Sequence, residues 1–183
     1  MGRGALAGPV VAAAVILPAD ESLPAALPGL RDSKALPPKA RERLAATLQA
    51  VAVATALAVV PAELVDAAGI AAAGQLALAR AIAALPVTPH ALITDAFRIR
   101  ASTLPQLALI RADARCCSVA AASILAKVYR DGLMSALHLD YPPYGFDRHK
   151  GYGTAAHWAA LQRHGPCALH RRSFAPVREL GQR

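Results

Sequence analysis

Ala91-Leu92-Ile93-Thr94-Asp95, followed after residues 96–105 by Gln106-Leu107-Ala108-Leu109-Ile110-Arg111-Ala112-Asp113, is the stretch that decides the fold class. Each half is a short apolar run of strand length that gives out at, or just before, an aspartate. A carboxylate at the C-terminal end of a strand stands at the rim of a sheet, where open α/β folds place their ligands. Two readings of each aspartate stay open. One is a turn or cap residue, Asp113 being placed to N-cap the helix that follows. The other is a share in a site for a hard cation, which carboxylate oxygens suit, and the pair together favours it.

Working outward, residues 10–17 form a continuous apolar run ending at Pro18, as expected of a strand covered on both faces. Residues 18–38 are punctuated by Pro18, Pro24, Pro28, Gly29, Pro37 and Pro38 and read as a loop carrying Arg31-Asp32-Ser33-Lys34. Residues 39–49 have helical composition. Val51, Val53, Thr55, Leu57 and Val59 alternate with small residues in the period of a strand. The alanine-rich stretch 63–85 predicts one or two helices broken near Gly69, and 116–139 predicts a long helix. A loop rich in Pro, Gly and Tyr, a helix over 154–164 and a basic tail complete the chain. Strands alternating with helices, without a dividing linker, predict one α/β domain over 1–183. On the long helix Ser123, Lys127 and Asp131 recur every four residues, either as a functional stripe or as a solvated face.

The chain has 183 residues, of which 55% are hydrophobic, and 20 Lys and Arg against 12 Asp and Glu give a formal charge of +8. Residues 141–183 hold seven of these cations against Asp147 and Glu179. That basic end fits an anionic partner such as nucleic acid, or a plain solvated surface. Cys116, Cys117 and Cys167 form neither a disulfide framework nor a zinc spacing, so free thiols in a reducing cytoplasm are expected. The apolar run after Arg3 imitates a signal peptide, but Pro9 interrupts it. It also falls short of the roughly 20 residues of a membrane span, so no membrane association is expected.

In order along the chain, Gly2-Arg3-Gly4-Ala5-Leu6-Ala7-Gly8-Pro9-Val10-Val11, Asp32-Ser33-Lys34, Asp95, Asp113, Ala120-Ala121-Ala122-Ser123-Ile124-Leu125-Ala126-Lys127-Val128, Tyr144-Gly145-Phe146, His149-Lys150-Gly151-Tyr152-Gly153-Thr154 and His170-Arg171-Arg172-Ser173-Phe174 resemble bacterial ribonuclease HII. The resemblance covers nearly the whole chain. It implies an RNase H-like mixed β-sheet flanked by helices, with a helical C-terminal part. It also implies an endoribonuclease acting on RNA-DNA hybrids and on single ribonucleotides in duplex DNA, as in ribonucleotide excision repair. Cleavage would fall on the 5′ side of the ribonucleotide and leave 3′-hydroxyl and 5′-phosphate ends. The implied cofactors are two Mn²⁺ or Mg²⁺ ions, with Asp95 and Asp113 as metal-binding carboxylates and Asp131 assisting one metal position. Gly2, Arg3 and Gly4 would sense the ribose 2′-hydroxyl, and Tyr152 would stack on the deoxyribose that follows. Lys34, Lys127 and Lys150 would contact phosphates. A cytoplasmic monomer is expected.

The family motif begins Asp-Glu-x-Gly-Arg-Gly, whereas Met1 stands directly before Gly2-Arg3-Gly4 and no acidic residue occurs before Asp20. The expectation is that the written start is too late and that a first central strand ending in Asp-Glu is missing from it. The alternative is a short, catalytically inactive form that binds hybrids. Ala96 and Ala112 also stand where the family usually has glycine. Alanine is a poor substitute only where φ is positive.

Overall fold

The computed structural model describes residues 1–19, 23–30, 33 and 36–180. Asp32 and Lys34, in the polar cluster after the first strand, therefore lie outside the described residues. In chain order the elements are β1 (Val10–Ile16), α1 (Leu23–Ala26), α2 (Pro38–Val51), β2 (Ala54–Val60), α3 (Ala62–Ala83), β3 (Leu92–Asp95), β4 (Gln106–Leu109), α4 (Cys117–Asp140), α5 (Phe146–His149), α6 (Ala155–His164) and α7 (Ala175–Leu180). Among the described residues the strands pair as two two-stranded sheets, β1 with β2 and β3 with β4.

The chain divides into two compact units. One comprises Met1–Val11, Val59–Gly74 and Tyr129–Arg183, the other Ala12–Ala58 and Gln75–Val128. In the second unit Leu44, Ala45 and Leu48 of α2 share a core with Ala121, Ile124 and Leu125 of α4, joined by Leu27 and Leu36. Both helices bury residues at helical spacing, the stripe expected of an amphipathic helix. In the first unit Leu6, Ala7, Met134, Tyr144, Phe146, Leu161 and Val177 form a separate core.

β3 and β4 are parallel, with Leu92 opposite Gln106 and Asp95 opposite Leu109. Parallel neighbours usually need a helical crossover. Here residues 96–105 make the crossing without one, held by two glutamine side chains. Gln106 accepts the Ile99 N–H at 2.7 Å and donates to the Ile99 and Ser102 carbonyls, while Gln75 of α3 accepts from Arg100 and donates to the Arg98 carbonyl. This stapling sets where β3 ends, and so where Asp95 stands.

Three sequence expectations need correction. Only β3 ends in its aspartate; β4 ends at Leu109, and Asp113 sits inside a one-turn 3-10 helix over Ala112–Ala114. Asp113 is therefore not the N-cap of α4, which begins at Cys117. The reason lies at Arg111, which adopts a left-handed φ of 57° and turns the chain before the long helix can start. The loop expected over 18–38 contains the short α1, and the basic tail folds into α7. By length and composition α3 could cross a membrane. Gly69, with φ 80° and ψ 157°, breaks it into two arms, each shorter than the roughly 20 residues a span requires.

Candidate functional site

In the second unit Asp95 closes β3. Its Oδ1 accepts the Ala112 N–H at 3.1 Å, which places the turn bearing Asp113 beside it. The chain leaves Asp95 through a γ-turn: the Phe97 N–H donates to the Asp95 carbonyl at 2.9 Å, and Ala96 between them has φ 66°. That conformation is rare and strained for a residue with a Cβ. Ala96 is thus one of the positions where alanine in place of glycine has a cost. Ala112, by contrast, has no positive φ and is fully buried. Relieving Ala96 of roughly 1–2 kcal/mol of left-handed strain outweighs the extra freedom glycine gains on unfolding. Ala96→Gly is therefore expected to raise Tm by about 2 °C, and an unchanged or lower Tm in a thermal melt would refute the strain.

Asp95 and Asp113 supply hard oxygen donors, the right chemistry for Mg²⁺ or Mn²⁺. Among the described residues no group of three His, Cys, Asp or Glu side chains is placed to hold a metal ion. The two aspartates therefore fit as part of a cation site. Lys127 lies half-buried on α4 in this unit. Ser33 is held through its main chain, its N–H 3.4 Å from Ser123 Oγ and its carbonyl accepting from Arg41 at 3.0 Å. Ser123 thus anchors the 33-region, leaving Lys127 and Asp131 as the stripe's ionic members.

In the first unit the Gly2-Arg3-Gly4 turn begins an irregular segment that runs between two loops. Leu6 and Ala7 donate to the Gly151 carbonyl, Gly8 donates to the Leu169 carbonyl, and Arg171 N–H donates to the Leu6 carbonyl. Two buried arginines, neither among the candidates read from the sequence as site residues, capture the segment's carbonyls. Arg130 of α4 donates to Pro9 at 2.9 Å, Ala7 at 3.1 Å and Lys150 at 3.0 Å. Arg171 donates to Gly8 from both Nε and Nη2, and to Arg3 and Ala5 from Nη1. The signal for Arg130 was there to be read: with Ala126 and Met134 it lies on a buried i, i+4 row of α4, where a charge needs an interior partner.

The glycines of the turn have different reasons. A Cβ on Gly2, at φ 81°, would sit 2.2 Å from Arg130 Nε, so Gly2 leaves room for the guanidinium. A Cβ on Gly4 would meet nothing within 4 Å, so that face is open. The Arg3 guanidinium lies along α3 at Gly74, and Asp131 is half-buried next to Arg130 on α4.

Lys150 does not present its ammonium outward. Its Nζ donates to Ser135 Oγ at 2.5 Å and to the Asp147 carbonyl at 2.6 Å, so a phosphate contact would require it to leave both. Tyr152 follows, its ring 5.4 Å from the Arg130 guanidinium carbon.

A histidine relay holds the Tyr152 loop from behind. The Cys167 N–H donates to Nδ1 of His170, which leaves the His170 Nε2–H to donate to His157 Nε2 at 3.0 Å. His157 Nδ1–H then donates to the Tyr152 carbonyl at 3.0 Å. The Gly151 N–H donates to His149 Nδ1, and His149 Nε2–H donates to the Tyr144 carbonyl at 2.7 Å. Every step uses neutral imidazole. Burial pushes His157 and His170 down to about 4 each, and pushes His149 down as well. Because the unfolded histidines take up protons near pH 6.5 and the folded ones only near 4, stability is full above 6.5 and falls as pH drops through that window. Unfolding free energies from urea denaturation at pH 7 and pH 5 are expected to differ by on the order of 4 kcal/mol; equal values would mean that the relay already carries a proton.

Against this geometry, the sequence profile of ribonuclease HII matches residues 1–177. The chain belongs to the ribonuclease HII family. It is 52% identical over 182 residues to ribonuclease HII of Pelotomaculum thermopropionicum, covering 100% of this chain and 68% of that protein. It is 52% identical over 179 residues to that of Chloroflexus aurantiacus, covering 97% and 84%. Its fold is similar to the crystal structure of ribonuclease H2 from Pyrococcus horikoshii OT3, with TM-score 0.81, 25% identity and coverage of 100% of this chain and 94% of that one. Bst-RNase HIII in complex with Mn²⁺ shares the fold alone, at TM-score 0.71 and 23% identity, over 100% of this chain and 67% of that one. Membership of this family, with its RNase H-like fold, makes the protein a ribonuclease H, and the family is one of divalent-metal-dependent endoribonucleases for RNA-DNA hybrids.

Proposed function

We propose that residues 1–183 work as one catalytic domain that cuts a DNA duplex on the 5′ side of an embedded ribonucleotide, leaving 3′-hydroxyl and 5′-phosphate ends. The observation that carries the reading is the bond from Ala112 N–H to Asp95 Oδ1, which seats the Asp113 turn against the end of β3. Asp95 and Asp113 would hold Mg²⁺ or Mn²⁺, with Asp131 assisting one position. Bound there, such ions would supply the activation of a water and the stabilisation of the leaving oxygen of a phosphodiester.

The chain's own groups do the positioning. The open face of Gly4 admits a sugar close to the main chain, and the 2′-hydroxyl, both donor and acceptor, is the group by which RNA is told from DNA. Tyr152 offers a ring for stacking on the next deoxyribose. Lys127, Lys34 and the basic end supply the salt-dependent attraction to phosphates. Free Cys116, Cys117 and Cys167 support a cytoplasmic, reducing setting, and we propose a monomer without membrane association.

The test is cleavage of a duplex carrying one ribonucleotide, in Mn²⁺ and in Mg²⁺, by the 183-residue chain and by a version with an Asp-Glu-ending strand fused ahead of Gly2. A nick on the 5′ side by either protein supports the proposal. Binding of the duplex by two folded proteins, neither of which turns it over, would favour the second reading, a hybrid-binding protein. That second reading rests on the absence of a three-donor metal group among the described residues.

A further inference from the structure

Arg130 touches both elements that the proposed function assigns to ribonucleotide recognition. Its three donors go to three carbonyls on two separate segments: Pro9 and Ala7 downstream of the Gly2–Gly4 turn, and Lys150 two residues before Tyr152. Its guanidinium fills the space beneath Gly2, where a Cβ would stand 2.2 Å from Nε, and lies 5.4 Å from the Tyr152 ring centroid. Lys150 itself is held at φ 52° and Gly151 at φ 81°, and a Cβ on Gly151 would meet the Ala7 carbonyl at 2.4 Å. A lysine in that left-handed conformation persists only where its surroundings over-determine it, and the bond from Arg130 to its carbonyl is part of that constraint.

We propose that Arg130 is a positioning residue that ties the Gly2–Gly4 turn to Tyr152, so that the two recognise a ribonucleotide followed by a deoxyribonucleotide as one unit. The inference rests on the reading of Gly2–Gly4 and Tyr152 given above. A planar fork is required for this task. Lysine keeps the charge but concentrates its donors on one atom and cannot reach carbonyls on both segments while stacking on a ring.

The test is binding in EDTA, where no cleavage occurs, followed by fluorescence anisotropy. A duplex with one ribonucleotide is compared with the same duplex in all-DNA form. The wild-type chain is expected to prefer the ribonucleotide duplex. Arg130→Lys and Arg130→Gln are expected to lose about fivefold or more of that preference, with all-DNA binding changed less than about twofold. Leu161→Ala, which hollows the same unit's core without removing a hydrogen bond to either segment, controls for general destabilisation: it should lower Tm and keep the preference. Arg130→Lys, which keeps the charge and most of the stem, carries the test if the glutamine variant does not fold. Preference retained in a folded Arg130→Lys chain overturns the inference. A wild-type chain without preference overturns the assignment of Gly2–Gly4 and Tyr152, and the inference with it.

Discussion

Asp95→Asn is expected to lower cleavage of a ribonucleotide-containing duplex by about a thousandfold or more, while Tm and duplex binding stay near those of the unchanged chain. The substitution keeps the shape of the side chain and an oxygen able to accept the Ala112 N–H at the 3.1 Å seen for Asp95 Oδ1. The turn carrying Asp113 therefore stays seated. What is lost is one negative charge and, on the proposed metal role, the affinity for a hard divalent cation that it would confer. Duplex affinity has no reason to fall, since a negative group has been removed from a surface proposed to meet phosphates. Asp95→Ala makes the contrast: it removes the acceptor too, freeing the turn that Arg111 enters at φ 57°, and should lower Tm as well as cleavage. Steady-state cleavage, anisotropy and a thermal melt separate the outcomes. Unaltered cleavage by the asparagine variant would refute the metal role of Asp95.

The sequence carried this half of the protein well because its signals are local. The apolar runs ending near Asp95 and Asp113 are strand-length, and the glycine at 69 breaks α3 where its φ of 80° demands it. The repeat over 116–139 becomes α4 within one residue at each end. What stayed illegible depends on chain segments far apart. That β4 stops four residues short of Asp113 follows from the left-handed Arg111, and nothing in Arg111-Ala112-Asp113 announces a positive φ. Lys150 reads as a surface cation from its neighbours in sequence, yet Ser135 of α4 and the Asp147 carbonyl draw its ammonium in. His170-Arg171-Arg172 looks uniformly basic, but two of its three residues are almost fully buried and only Arg172 is exposed.

Arg171→Met is therefore expected to destabilise the protein by about 3 kcal/mol, a fall in Tm of roughly 6–12 °C. Arg172→Ala, one residue on, should change it by less than about 0.5 kcal/mol. The opposing terms at Arg171 are both large. Burial, and after it the nearby Arg130 charge, push its guanidinium down to about 10, so holding it charged at neutral pH is itself costly. Methionine removes that cost and fills most of the same space. It also removes four hydrogen bonds, to Gly8 twice and to Arg3 and Ala5. Main-chain carbonyls cannot be substituted away as the partners of a side-chain ion pair can, and each one left unsatisfied in the interior costs about 1–3 kcal/mol. Three such carbonyls on one loop outweigh the relieved burial of a single cation. Urea denaturation of the two variants decides the matter. A methionine variant as stable as the unchanged chain would mean that water replaces the guanidinium beneath Gly8, and that the Arg3 turn is held by its neighbouring loops alone.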